Sequence, residues 1–346
     1  MLNDANDIIW ENKTPSSVLF CRPLFFEFVK ETENIVKKIY NHYNSRLDKL
    51  QTHNINIGDK TFKCSFDFEC TMIDGKVCSI LTGERASSRC NICHVGPSKV
   101  NDIEYVLTLL PDEQSYKFGL STLHAWIRCL EYLLHIAYNM GIETSTARSD
   151  EEKKSKAQRK QMIQTLLSSK LGITVDVVKQ GWGTTNTGNV ARAFFENAKS
   201  VAEITQLDEN LINRLHNVLQ VITSGKAVDC NAFQTYSLDT ARLCIQLYPW
   251  YNIPPAVHKI LIHGSDIIKA LPLPIGWYSE ECQEANNKHF RQARLLCSRM
   301  FNRTASNEDV LHYMLIASDP FVSRNRYIES RKVKKLSDAA KNMLVM

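Results

Sequence analysis

The sequence predicts an α/β chain in which helix predominates. Strand-like, aromatic-rich runs are confined to the stretch before Asp74, and a helical apolar period then holds for about two hundred residues. Serine caps and glycine stops bound several of the helical segments. At 346 residues, 44% hydrophobic and 23% charged, the chain suits one large globular domain or two ordinary ones. The opening MLNDANDIIWENKTPSS has neither a basic nor an apolar leader region, and no run of about 18 apolar residues occurs. The expectation is a soluble, intracellular chain.

Residues 17–28 (SVLFCRPLFFEF) read as a buried strand, with Pro23 favouring an edge or a break. Residues 30–53 place Ile35, Val36, Ile39, Tyr40, Tyr43 and Leu47 at helical spacing among charges, which predicts an amphipathic helix packed on the sheet. A second strand is expected over residues 60–73, carrying Phe62, Phe66 and Phe68 and leaving Asp74 at its C-terminal end before Gly75. Residues 123–140 form an apolar helix opened by Ser121 and closed by Gly141, with Trp126 read as core. A charged helix runs from about Asp150 to Gly172. The polar loop GWGTTNTGN (181–189) follows; its glycines would let backbone amides approach a phosphate, but it matches no P-loop or dinucleotide fingerprint. Two further helices are expected over 207–224, closed by Gly225, and 232–247.

The net charge of +5 is mild, but its distribution is uneven. Basic residues gather in 148–160 (RSDEEKKSKAQRK), along Lys288, Arg291, Arg294, Arg299 and Arg303, and in 324–335 (RNRYIESRKVKK). Each run reads first as a solvated face or tail, and the three together favour a nucleic-acid partner. The candidate DNA-contacting residues are Lys153, Lys154, Lys156, Arg159, Lys160, Lys288, Arg291 and Arg294.

Eleven cysteines, odd in number and mostly in apolar surroundings (Cys21, Cys64, Cys129, Cys244), suit buried free thiols better than a disulfide framework. Cys90 and Cys93 stand apart as a two-thiol knuckle whose spacing lets both sulfurs face one tetrahedral ion. His258 and His263 lie on a helix that Pro254 and Pro255 begin and Gly264 is expected to end. Residues five apart lie about 140° apart around a straight helix, so His263 should need a loosened last turn to reach the same ion. Together the four would make a Cys2His2 staple across residues 94–257, with His94 an alternative ligand. Rival readings are a c-type haem attachment (CNICH), a thioredoxin-like redox pair, and ordinary core residues. The first lacks an export signal, and the second lacks a βαβ context.

Ser279 is placed to cap a helix whose first turn holds Glu280 and Glu281, and whose apolar stripe is Cys282, Ala285, Ala293, Leu296 and Met300. Glu284 lies four residues before Lys288, an ordinary exposed pair. The alternative is a metal-binding carboxylate that joins Asp74, since hard oxygen ligands hold Mg2+ for phosphodiester chemistry.

Five segments, in order, resemble a known family: SSVLFCRPLFFEFVKETE, TMIDGKVCSILTG followed by CNIC, GTTNTGNVARAFF, YPWYNIPPAVHKILIHG and LPIGWYSEECQEANNKHF. The chain is similar to the catalytic core of V(D)J recombination-activating protein 1 and its relatives, the Transib-type DNA transposases. The resemblance implies a ribonuclease H-like fold with a large helical insertion pinned by zinc, and a DDE-type endonuclease and strand-transfer activity that uses Mg2+ or Mn2+. By motif, Asp74 corresponds to the second catalytic aspartate, Glu284 to the catalytic glutamate, and Cys90, Cys93, His258 and His263 to the zinc ligands. The implied layout is truncated ribonuclease H-like strands over 1–80, the insertion over 81–275, the catalytic-type helix over 276–318 and a basic tail over 319–346. Nothing around Asp4 or Asp7 resembles the family's first aspartate strand, so the fold is expected to be incomplete and the chain inactive alone. The alternative is a non-catalytic, zinc-stabilised DNA-binding or interaction protein of transposase descent. Implied partners are DNA, a second copy of the chain and an accessory recombination subunit, with no membrane and a nuclear location.

Overall fold

The computed structural model describes residues 12, 14, 17–25, 27, 29–66, 68, 73, 75–84, 86–179, 183–326 and 335–345. The chain divides into two compact units: Met1–Cys70 with Ser279–Val333, and Thr71–Tyr278 with Lys334–Met346.

In the first unit, Val18–Phe20 is a single 3-10 turn where a strand was expected. Ser17 explains it: its hydroxyl accepts the Leu19 N–H and starts the turn, while Pro23 brings no N–H for a ladder. Leu24 and Phe25 are exposed, so their apolar character reflects no burial here. Helix α1 (Glu33–Leu47) forms as the period predicts, capped by Thr32, but none of its residues is buried and no broad sheet lies beneath it among the described residues. It ends at Leu47, short of the expected residue 53, and a strand not expected from the sequence follows. β1 (His53–Ile57) pairs antiparallel with β2 (Lys60–Cys64), with Ile57 opposite Lys60 and Gly58 at φ +60° in the two-residue turn. β2 stops at Cys64, well short of residue 73, and Phe66 and Phe68 are exposed.

The second unit is helical. α2 (Gly75–Thr82) opens on Gly75. After α3 (Ile103–Thr108), α4 (Thr122–Asn139) is the axis of the core, buried on nearly all sides through Leu130, Tyr132, Leu133, Leu134, Ile136 and Ala137. Such all-round apolar character requires covering on every face. α5 (Asp150–Leu171), α6 (Gly188–Glu196), α8 (Glu209–Thr223) and α10 (Pro255–Ala270) supply it, with α7 (Ala198–Thr205) bracing α5 and α8, and α9 (Cys230–Leu247) packed along α10. α5 begins in a full capping box, Ser149 with Glu152, and ends on Gly172 at φ +65°. Between α5 and α6, β3 (Val178–Lys179) and β4 (Gly183–Thr184) pair antiparallel. Gly188, from the loop weighed as a phosphate cradle, packs directly against Leu123, with no room for a side chain unless Leu123 moves. Trp126 is core, edge-on to Phe195 and His216.

The chain then returns to the first unit with α11 (Glu281–Leu296), α12 (Arg303–Ala317) and α13 (Pro320–Arg324). The expected apolar stripe of α11 holds only in part. Cys282 and Ala293 are buried, whereas Leu296 is exposed and Met300 lies past the helix end. Residues 335–345, expected to belong to a basic tail, instead fold onto the second unit. α14 (Asp338–Lys341) packs on α8, Ser337 donates to Asn217 Oδ1 at 2.7 Å, and Met343 and Leu344 are buried.

Candidate metal centre

Cys90, Cys93, His258 and His263 converge in the second unit, all buried, with ligand atoms within 4.8 Å of one another. The knuckle is shaped by its own backbone. The Cys90 N–H donates to Val95 O at 3.2 Å, the His94 N–H to Cys90 O at 3.0 Å, and the Ile92 N–H to Cys90 Sγ at 3.4 Å. The reversal places His94 at φ 56° and turns its ring outward to Glu84 Oε2 at 3.1 Å. His94 is thereby turned away from the cluster formed by Cys90, Cys93, His258 and His263.

α10 supplies the histidines differently from the sequence expectation. Pro255 occupies its first turn as expected, but the helix runs straight through Gly264 to Ala270. Gly264 is a packing glycine: a Cβ there would stand 3.0 Å from Phe233 of α9. No loosened turn is needed, because His258 and His263 flank one face and their side chains lean together, with ring centroids 5.3 Å apart. The Cys93 Sγ to His258 Nε2 distance is 3.4 Å. The corresponding edge of a tetrahedral zinc site is about 3.6 Å, from Zn–S near 2.3 Å and Zn–N near 2.05 Å.

The electrostatics suit a cation. The Cys90 thiol is held well below its ordinary value, first by its hydrogen bond with Cys93 and then by His258 and His263, against the opposing effect of burial. Cys93 is pushed up by sharing that hydrogen bond and by burial. His263 Nε2 is buried without a hydrogen-bond partner among the described residues, whereas His258 turns Nε2 toward Cys93 and leaves Nδ1, on the other side of its ring, unpartnered. Two thiols beside an unpartnered imidazole nitrogen are a donor set that could hold a metal.

Asp74 lies outside the described residues. Glu284 is exposed on the first turns of α11, behind a buried Ser279 and Glu280, and the Ser279 hydroxyl accepts the Glu281 N–H at 3.3 Å. Lys288 and Arg291 are exposed on the same helix and Arg294 is half-buried. On α5, Lys153 and Lys154 face solvent and Lys156 is half-buried. Arg159 is occupied inside the fold, donating to Ala137 O, Thr205 O and Gln206 Oε1. Lys160 lies 3.9 Å from Asp176 and over the Tyr138 ring.

A second thiol pair was not anticipated. Cys21 lies against α11 within the first unit, its carbonyl accepting Asn286 Nδ2 at 3.0 Å, and the Cys282 thiol holds the Cys21 thiol below its ordinary value while Cys21 and burial push Cys282 up. Read singly, one looked like a buried thiol and the other like part of an apolar stripe; only the spacing of a local motif could have signalled the pair, and they share none.

A mostly helical chain with a buried thiol–imidazole cluster that could hold a metal is the class these observations define. Residues 2–89 match the family Recombination-activation protein 1 (RAG1) RNase H domain, so over this stretch the chain is similar to that domain and to the V(D)J recombinase and Transib-type transposase lineage. The match includes position 74 and ends just before Cys90, so the metal cluster is an independent observation. No curated protein matches the chain.

Proposed function

We propose that this protein is a DNA-binding relative of the transposase and recombinase cores, with its helical unit pinned by a structural zinc ion on Cys90, Cys93, His258 and His263. The observation that carries the reading is the buried Cys2His2 cluster, whose donors come from two elements far apart in sequence. Two thiols and two imidazoles are soft and borderline ligands with no open carboxylate position, the pattern of a structural rather than a catalytic zinc.

Phosphate contacts from Lys153, Lys154 and Lys156 of α5, and from Lys288, Arg291 and Arg294 of α11, would supply sequence-independent DNA affinity. Asp74 and Glu284 are the carboxylates proposed for Mg2+ or Mn2+, which when bound would polarise the phosphodiester and activate water. Within these 346 residues the family resemblance supplies two of three such carboxylates, and we propose that the chain alone does not nick DNA. Nuclear location, self-association and an accessory recombination subunit accompany this reading.

Elemental analysis of the purified chain tests the first part. About one zinc per chain is expected, lost in His258→Ala together with a lower melting temperature. A metal-free protein with unchanged melting overturns the zinc assignment. In a supercoiled-plasmid assay with Mg2+ or Mn2+ no nicking is expected, and nicking that Glu284→Ala abolishes would show that the chain alone is catalytic.

A further inference from the structure

We propose that the outward face of α5 reads duplex DNA in the major groove, with Gln158 and Gln161 selecting adenine and Met162 contacting the methyl group of the paired thymine. The inference rests on the DNA-binding reading above and gives it a base preference.

α5 has two opposite faces. At about 100° per residue, Lys154, Gln158, Gln161 and Thr165 fall on one line along the helix, and all four are exposed. Ile163 and Leu167 lie on the opposite side, fully buried in the core. Side chains between the two faces serve the fold: Arg159 donates to the carbonyls of Ala137 and Thr205, Lys160 lies beside Asp176, and Gln164 gives its amide to Val175 O at 2.8 Å. Gln158, Gln161 and Thr165 make no side-chain hydrogen bond among the described residues.

The charges around this face are one-sided. A solvated helix face usually mixes both signs, but no acidic residue of α5 follows Glu152. Lys153 and Lys154 stand exposed at one end of the face and Lys170 at the other. Glu151, one turn earlier on the same line, marks its edge.

Duplex DNA complements this arrangement. A helix about 10–12 Å across fits a major groove about 12 Å wide. Uncharged amides along the middle with cations at the ends match base edges on the groove floor between rims of phosphate. A glutamine amide offers one donor and one acceptor, the complement of adenine N7 and N6, whereas the two acceptors of guanine call for Arg or Lys. Gln158 and Gln161 advance about 4.5 Å along the helix axis, near the ~3.4 Å step of stacked bases, so they address adjacent base pairs. Met162, 45% exposed, and Leu166 line an open hollow with the two glutamines and supply apolar surface for a thymine methyl. Duplex RNA hides its major groove from side chains, and a docking helix for a protein groove carries an apolar stripe in place of Gln and Thr.

The test offers the intact chain a library of DNA duplexes with a randomised core, sequences the bound fraction and measures the enriched duplex by fluorescence anisotropy. Adjacent A·T pairs should be enriched. Replacing the enriched adenines with 7-deazaadenine, which lacks the N7 acceptor, should weaken wild-type binding about tenfold. The double variant Gln158→Ala/Gln161→Ala should bind both duplexes alike, with the salt dependence of the wild type because the lysines remain. Both positions are exposed and alanine is the better helix former, so the variant keeps the fold. The proposal is overturned by enrichment without adenine, by equal sensitivity of wild type and variant to 7-deazaadenine, or by tighter binding to duplex RNA of the same sequence. Binding to no DNA duplex at all would overturn the DNA-binding reading itself, and this inference with it.

Discussion

Gly276 has no room for even a methyl group. A Cβ there would collide with the backbone of Gly225 and lie 3.1 Å from the Thr223 carbonyl carbon, while the neighbouring Trp277 indole donates to Gly225 O at 2.8 Å. Backbone cannot rotate away as a side chain can, so Gly276→Ala should destabilise the protein by about 1–3 kcal/mol in urea titration; an unchanged midpoint would refute this packing. At this scale the sequence was readable wherever chemistry has a spacing. Cys90 and Cys93 declared themselves as a knuckle, and His258 and His263 as a pair. Gly264 was misread as a helix stop because a packing glycine and a terminating glycine look alike until Phe233 of the neighbouring helix is in place. Cys21 and Cys282 were invisible as a pair for a related reason: nothing local links them.

Helices that cover a core were legible as elements. α4, α5, α8 and α9 fall within a residue or two of expectation, because period and caps agree. Segments without cover were not. Residues 17–28 carry strand composition but no ladder partner among the described residues, so a local serine cap decides their turn. β1 was not expected, since residues 54–59 fall between the expected helix and the expected strand, although Gly58-Asp59 between two alternating runs is a hairpin signal. α5 also separates charge used for packing from charge left for a partner. Arg159→Gln should cost about 2–3 kcal/mol in stability, since the carbonyls of Ala137 and Thr205 lose a charged donor. Lys153→Ala with Lys154→Ala should leave melting unchanged and flatten the salt dependence of duplex-DNA binding by a slope of about 2. The reverse pattern in melting and salt-titration experiments would contradict the assignment.

The two units differ in how much each encloses. The second holds nearly the whole buried apolar core, whereas α1, β1 and β2 contain no buried residue. A bare two-stranded hairpin is marginal in water. Amide hydrogen exchange should therefore be slowest in α4, α8 and α10 and fastest in β1 and β2; equal protection would refute the contrast. Among the described residues no helix is long and apolar enough to cross a membrane. Cys93 and His258 are 165 positions apart. Closing a loop of that size in an unfolded chain costs about 5 kcal/mol of entropy, so an ion held by the proposed site would gain its last two ligands only once the intervening helices have assembled. During translation the knuckle thiols leave the ribosome long before α10 is made, and at about 5–20 residues per second they wait for many seconds. In that interval they are open to oxidation or to the wrong metal, so under the proposed zinc assignment a correctly loaded protein would be a product of synthesis rate as well as of sequence.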